Sequence, residues 1–214
     1  MFKLQDKKLF IFDWDGTLST STLIVAGSRI FRKSYNIKNI EKNFKYYEGI
    51  GKRTMSLELK EDTNKAFARI YDVYAKFHMP KAKKGSEELL KLLNKTSKKV
   101  TLFSDSRSYR LMSEIRHLNM VKYFDFILSA TSIGAYKPDP TGILFIIDKY
   151  KIRKDDVVYI GDTVSDIMAA KFAGVSSCIV GDGLEPYERV KDAKPTFLFR
   201  STEEMYEKLL PKSN

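Results

Sequence analysis

The sequence predicts a doubly wound α/β protein: a parallel sheet, Rossmann-like, with a helical domain inserted after its first strand. Three observations lead there. Short apolar runs rich in β-branched and aromatic residues recur along the chain, most of them separated by segments with helical spacing of apolar residues. Strands that alternate with helices imply parallel pairing. These runs are apolar almost throughout, as strands covered on both faces are. One region, residues 19–80, breaks the rhythm and is too long for a loop inside a compact domain.

The elements follow in order. "KLFIFD" (8–13) reads as the first strand. Residues 19–80 contain no convincing strand but do hold the helical patterns "STLIVAGSRIFRKSY" and "NKAFARIYDVYAKF", so they read as a small inserted domain. The core then comprises residues 1–18 and 81–214. "SEELLKLLNKT" is a helix with Ser86 as its expected N-cap. "KVTLFSD" (99–105) is a strand, and the apolar spacing of "SRSYRLMSEIRHLNM" makes a helix. "FDFILSA" (124–130) is a strand, "TGILFIIDKYK" a helix, and "DVVYIGD" (156–162) a strand. "SDIMAAKFAG" is a helix closed by Gly174, followed by the strands "SSCIVGD" (176–182) and "PTFLFR" (195–200).

Composition narrows the class. At 214 residues, 43% hydrophobic and 30% charged, the chain is long enough for one sizeable core with an appendage. No apolar run approaches the ~18–20 residues a membrane-spanning helix needs. The N-terminal "MFKLQDKKLFIF" lacks the pattern of a signal peptide. The single cysteine, Cys178, excludes an internal disulfide and reads as a buried strand residue. The expected location is cytoplasmic. The net charge of +11 favours anionic partners, whether phosphorylated metabolites, nucleic acid or an acidic surface, although the lysines are scattered and also suit a solvated surface.

The acids are the informative residues. Asp13 and Asp15 lie one residue apart at the end of the first apolar run. If the strand continued, both would face the same way. Two carboxylates about 4 Å apart repel by roughly 4 kcal/mol at an effective dielectric near 20, so a cation, a shared proton or full exposure must offset the cost. Trp14, between them, points the other way, into packing. Asp105 and Asp162 also end predicted strands, and ligands of open α/β sheets bind at that edge. His78 and His117 stand alone, without metal-ligand spacing.

Such a crevice suits attack on a phosphate monoester. A carboxylate is a competent nucleophile that stays ionised at neutral pH. A cation must bridge it to the anionic substrate, and Mg²⁺ prefers oxygen ligands of this kind. Asp13, Asp162 and the backbone carbonyl of Asp15 could supply those ligands. Backbone amides of the turn at Gly16 can cradle phosphate; Ser104, beside Asp105, and Lys137 could hold the rest. Phosphoryl transfer responds chiefly to such positioning and charge neutralisation.

The segments "DWDGT" (13–17), "FSDS" (103–106), "KPDP" (137–140) and "GDTVSD" (161–166) occur in the order of the signature motifs of the haloacid dehalogenase superfamily, and the chain resembles its large phosphatase branch from about residue 8 to 183. The resemblance implies Asp13 as nucleophile and metal ligand, forming an aspartyl-phosphate. Asp15 becomes the general acid and then the base that activates water. Thr17 and Ser104 contact phosphate and Lys137 neutralises it, while Asp105 is either part of that phosphate site or a structural acceptor. Asp162 ligates Mg²⁺, and Asp166 binds the metal through water or orients another ligand. The insertion matches the family's helical cap, where "EGIGKRT" (48–54) places Arg53 to meet a second anionic group of the substrate.

The expected activity is hydrolysis of a small phosphorylated metabolite, such as phosphoglycolate or pyrophosphate, by a monomer or homodimer. A β-phosphoglucomutase-like phosphotransferase shares the same core acids and is the alternative. A nucleic-acid-binding protein is the reading from another class, but the sequence has no recognised module or concentrated basic helix to support it.

Overall fold

The computed structural model describes residues 3–20 and 78–211. Every expected strand forms: β1 (Leu9–Phe12), β2 (Lys99–Ser104), β3 (Phe126–Ser129), β4 (Val157–Gly161), β5 (Ser176–Val180) and β6 (Phe197–Phe199). They make one parallel sheet in the order β3-β2-β1-β4-β5-β6. The helices among the described residues are α1 (Ser86–Asn94), α2 (Ser108–His117), α3 (Ala130–Ile133), α4 (Thr141–Tyr150), α5 (Val164–Ala173), α6 (Tyr187–Asp192) and α7 (Thr202–Leu209). None is long and apolar enough to cross a membrane.

The unbroken apolar character of the strands has a direct cause. Successive side chains of a strand point to opposite faces. Phe10 and Phe12 pack with Val100, Leu102, Val158 and Ile160 against leucines of α1, Leu111 and Ile115 of α2, and Met205 of α7. Leu9 and Ile11 pack with Phe103, Val157 and Tyr159 against Ile143 and Ile146 of α4 and the alanines of α5. Each central strand therefore supplies two hydrophobic layers. Burial on both faces fails only toward the sheet margins, where β6 and Phe126 and Ile127 of β3 are half-buried. An edge strand has a neighbour on one side only.

The helix ends partly match expectation. Gly174 closes α5 at φ 74°. Ser86, however, is not the cap of α1: Gly85 holds that position at φ 80°, and Ser86 is the first helical residue. Its buried hydroxyl makes no hydrogen bond among the described residues. The start of α5 is a reciprocal capping box, in which the Thr163 side chain accepts from the Asp166 N–H and the Asp166 carboxylate accepts from the Thr163 N–H.

Two features position the site. The strand order reverses between β1 and β4, so the carboxyl ends of these strands flank the crevice where such sheets bind ligands. The chain also leaves and re-enters the core at one place. Thr20 N–H donates to the Lys81 carbonyl at 2.8 Å and Lys83 N–H to the Leu18 carbonyl at 2.9 Å. Most of the expected insertion, residues 21–77, lies outside the described residues.

Candidate active site

Asp13 follows β1 directly, and its N–H donates to the Ile160 carbonyl at 2.8 Å, which ties it to β4. Its buried carboxylate reaches Lys137 Nζ through Oδ1 at 2.9 Å. Lys137 Nζ also donates to Asp166 Oδ1 at 2.7 Å. Asp162 stands at the end of β4, with Oδ1 accepting from Thr17 Oγ1 at 3.2 Å and Oδ2 from the Leu184 N–H at 2.7 Å. Carboxylate oxygens of Asp13, Asp162 and Asp166 all lie within 4.8 Å of one another.

This is an acidic, buried cluster. With all groups ionised, the three carboxylates outweigh the Lys137 ammonium by two charges. Burial pushes the Asp13 carboxyl up to about 8, Lys137 opposes this, and Asp166, Asp162 and Asp15 reinforce it. Burial alone would lower Lys137, but Asp13 and Asp166 raise its ammonium well above the ordinary lysine range. Asp13 Oδ2 is buried and has no hydrogen-bond partner among the described residues. An orphaned carboxylate oxygen in an oxygen-only donor set of this charge fits a hard divalent cation. Asp166 fits that group less directly, because its Oδ2 already accepts from Thr163 N–H (2.9 Å), Thr163 Oγ1 (2.6 Å) and Asp162 N–H (3.1 Å). Those bonds fix the Asp162 backbone and the first turn of α5.

Asp15 faces a different cation. Its Oδ2 accepts from Arg110 Nη2 and Ser106 Oγ, both from the β2–α2 segment. Arg110 Nη1 donates to Glu114 Oε1 at 3.0 Å, and Trp14 Nε1 donates to Glu114 Oε2 at 2.8 Å. All five side chains are buried. The cost of placing Asp13 and Asp15 together is thus offset twice, by Lys137 and by Arg110. Trp14 does turn into the core, beside Phe10 and Phe12, and it joins the network through its indole N–H.

The residues expected to contact phosphate have the following surroundings. Gly16, at φ 80°, gives its N–H to the Ser19 carbonyl at 2.9 Å, and the Thr17 N–H goes to the Trp14 carbonyl at 3.3 Å. Both amides are used within the turn, so they build the loop and do not cradle a ligand in this arrangement. Gly16 is also required sterically, because a Cβ there would overlap the Asp162 carboxylate. Ser104 is buried at the end of β2, with Oγ accepting from the Ser106 N–H at 3.2 Å. Asp105 is better placed as a structural acceptor than as a phosphate ligand. Its Oδ1 takes the Lys137 backbone N–H at 3.0 Å, which positions the lysine, and its charge would repel phosphate. Arg53 lies outside the described residues.

Three groups of the site were not singled out from sequence. Arg110 and Glu114 sit four residues apart in a helix, a spacing common on solvated helices, and nothing local marks them as buried. Lys83 bridges the Gly16 carbonyl (2.8 Å) and Asp182 Oδ1 (2.6 Å), tying the first acidic loop to the segment after β5. In that segment, Gly183 and Leu184 pack directly on Asp162.

A sequence model of the haloacid dehalogenase-like hydrolases matches residues 10–180. The chain is 25% identical over 153 residues to phosphoglycolate phosphatase 1 of Pseudomonas aeruginosa, a match covering 71% of this chain and about half, 53%, of that protein. It is 26% identical over 219 residues to phosphoglycolate phosphatase of Vibrio parahaemolyticus, covering 95% and 96%. A haloacid dehalogenase-superfamily hydrolase from Ehrlichia chaffeensis shares the fold with a TM-score of 0.61 at 21% identity, over 97% of this chain and 98% of that one. With a family match spanning residues 10–180, the chain belongs to the haloacid dehalogenase-like hydrolases.

Proposed function

We propose that the chain is a Mg²⁺-dependent phosphatase that hydrolyses a small phosphorylated metabolite through an aspartyl-phosphate on Asp13, and that it works in the cytoplasm. The observation that carries this reading is Asp13 Oδ2, buried and without a hydrogen-bond partner among the described residues, beside two further carboxylates and an ammonium. Asp13, Asp162 and the backbone carbonyl of Asp15 would hold the Mg²⁺, with Asp166 orienting Asp162 and Lys137. When bound, the ion neutralises phosphate oxygens that the acidic pocket would otherwise repel.

The protein residues then divide the chemistry. An Asp13 oxygen attacks phosphorus, the bond to the leaving oxygen breaks, and Asp15, which takes up a proton before this step, delivers it to that oxygen. Asp15, now a carboxylate, takes a proton from the water that attacks the aspartyl-phosphate. Inorganic phosphate leaves and Asp13 is restored. Lys137 counters charge throughout, and Ser104 and the turn at Gly16 and Thr17 border the phosphate.

Residues 1–18 and 81–214 form the catalytic core in this reading, and 19–80 the cap. The paired backbone at Thr20 and Lys81 supports an insertion at that point. Arg53 is assigned in this reading to a second anionic group of the substrate, a carboxylate or another phosphate, which suits phosphoglycolate-like or pyrophosphate-like substrates.

The test is phosphate release with and without Mg²⁺ from an aryl phosphate, phosphoglycolate, pyrophosphate, hexose phosphates and nucleotides. Wild type should release phosphate only with the metal, and folded Asp13→Asn should lose at least ~10³-fold in kcat, the scale seen when a nucleophile is removed. A folded variant with near-normal turnover would refute the covalent mechanism. Isomerised hexose phosphate without phosphate release would point to the mutase.

A further inference from the structure

We infer that Arg110 is a positioning residue for Asp15, braced by Glu114 and Trp14, and that leaving-group protonation depends on this brace. The inference rests on the phosphatase reading above, but Arg110 and Glu114 lie outside the family motifs and outside the metal cluster.

The geometry argues for a built device. Asp15 lies past the end of β1, in a loop whose backbone pairs locally with Ser19 and not with a neighbouring strand of the sheet. Its Oδ2 is held from one side by two donors, Arg110 Nη2 and Ser106 Oγ, and Arg110 also donates to Ser106 Oγ. A guanidinium is planar and presents its donors in a fixed fork. Arg110 uses that fork in two directions, one branch to Asp15 and the other to Glu114 Oε1 at 3.0 Å. Glu114 is fully buried, and its second oxygen takes the Trp14 indole N–H at 2.8 Å. Trp14 is the residue directly before Asp15 in the chain. The network therefore closes on itself: Trp14 anchors Glu114, Glu114 aims Arg110, and Arg110 fixes the carboxylate next to Trp14.

A surface helix would place an Arg–Glu pair of this spacing in water, where it contributes little. Burying it needs a counterpart for every charge, because breaking a buried pair strands a charge in a low dielectric. A core of this fold could fill positions 110 and 114 with apolar residues at lower cost. The charges at these positions are explained by what they hold, which is the side chain assigned to proton transfer.

The experiment measures kcat/KM for two monoesters, an aryl phosphate with a good leaving group and the alkyl ester phosphoglycolate. This quantity covers steps up to departure of the leaving group, so it isolates the protonation that Asp15 performs. Three variants are compared with wild type: Arg110→Lys, the charge-balanced Arg110→Met/Glu114→Gln, and Asp15→Asn. The balanced double variant guards against misfolding, since it removes one charge of each sign and keeps an acceptor for Trp14. The expected result is a loss of ~10²-fold or more on phosphoglycolate for the double variant, within the range general acids supply. The loss on the aryl ester should be under ~5-fold, with KM little changed, and Arg110→Lys should recover part of it. Asp15→Asn should show the same leaving-group dependence, more strongly. Equal losses on both esters, no loss, or a gain in the double variant would overturn the inference while leaving the phosphatase reading intact. Absence of turnover in wild type would overturn both, and lack of leaving-group dependence in Asp15→Asn would remove the acid role from Asp15 itself.

Discussion

At the scale of single residues, the site is governed by the burial of Asp13. A carboxyl raised from 3.8 to about 8 by burial binds a proton in the folded state that the unfolded chain has already released at neutral pH. Where the folded state holds more protons, stability falls as pH rises. The metal-free protein should therefore lose thermal stability progressively from pH 4 to pH 8 at this group, with the full cost present above pH 8. A divalent cation favours the ionised form and should reverse the trend. Thermal melts between pH 5 and 9, with and without Mg²⁺, test this. The metal should raise Tm more at pH 8.5 than at pH 5.5, and Asp13→Asn should remove both the pH slope and most of the metal effect. A metal-induced shift that is the same at all pH values would contradict the assignment of Asp13 as the proton-competing ligand.

At the scale of elements, loops placed by the sheet decide which carboxylate reaches where. Asp162 at the end of β4 is backed by Gly183, where a Cβ would overlap its side chain, and is held by the Leu184 N–H at 2.7 Å. Gly183→Ala must therefore push the loop or the carboxylate aside. It should leave the far-ultraviolet spectrum unchanged, while the Mg²⁺ concentration for half-maximal phosphate release rises ~10-fold, in the range found for changes behind metal ligands. A wild-type Mg²⁺ curve in the variant would show that the loop yields freely. The strands were legible because β-branched and aromatic runs with no polar alternation have few other uses in a chain this polar. Asp13 and Asp162 were legible because acids at strand ends have no packing role. The N-cap of α1 was misplaced, since Ser86 and Gly85 both satisfy a cap and only the approach of α7 to that turn selects between them. Arg110 and Glu114 were hidden for the opposite reason: four-residue spacing looks the same on a solvated face and in a buried network, and only the packing of α2 against Trp14 distinguishes the two.

At the scale of the whole molecule, an apparent contradiction bears on how substrate arrives. The chain carries +11, yet the crevice holds a cluster of acids that repels phosphate. Several surface acids are already paired, as in Lys8–Asp156 at 3.0 Å, Lys99–Asp125 at 2.7 Å and Lys151–Asp148 at 2.6 Å. Each exposed pair contributes little to stability and uses one charge of each sign, so the net excess of basic residues over the whole sequence stays at +11. A field of this sign draws anions toward the protein over roughly a Debye length, about 10 Å at 0.1 M salt, and it weakens as salt is added. The buried cluster is screened far less. Ionic strength should therefore act on capture and spare the chemical step. With Mg²⁺ saturating, raising NaCl from about 20 to 200 mM should lower kcat/KM for a phosphate dianion by roughly 3- to 10-fold, while kcat holds steady. A kcat/KM that does not respond to salt would assign the lysines to solubility alone, and a fall in kcat would place the salt-sensitive charges inside the site, against the burial of Lys137 and Arg110.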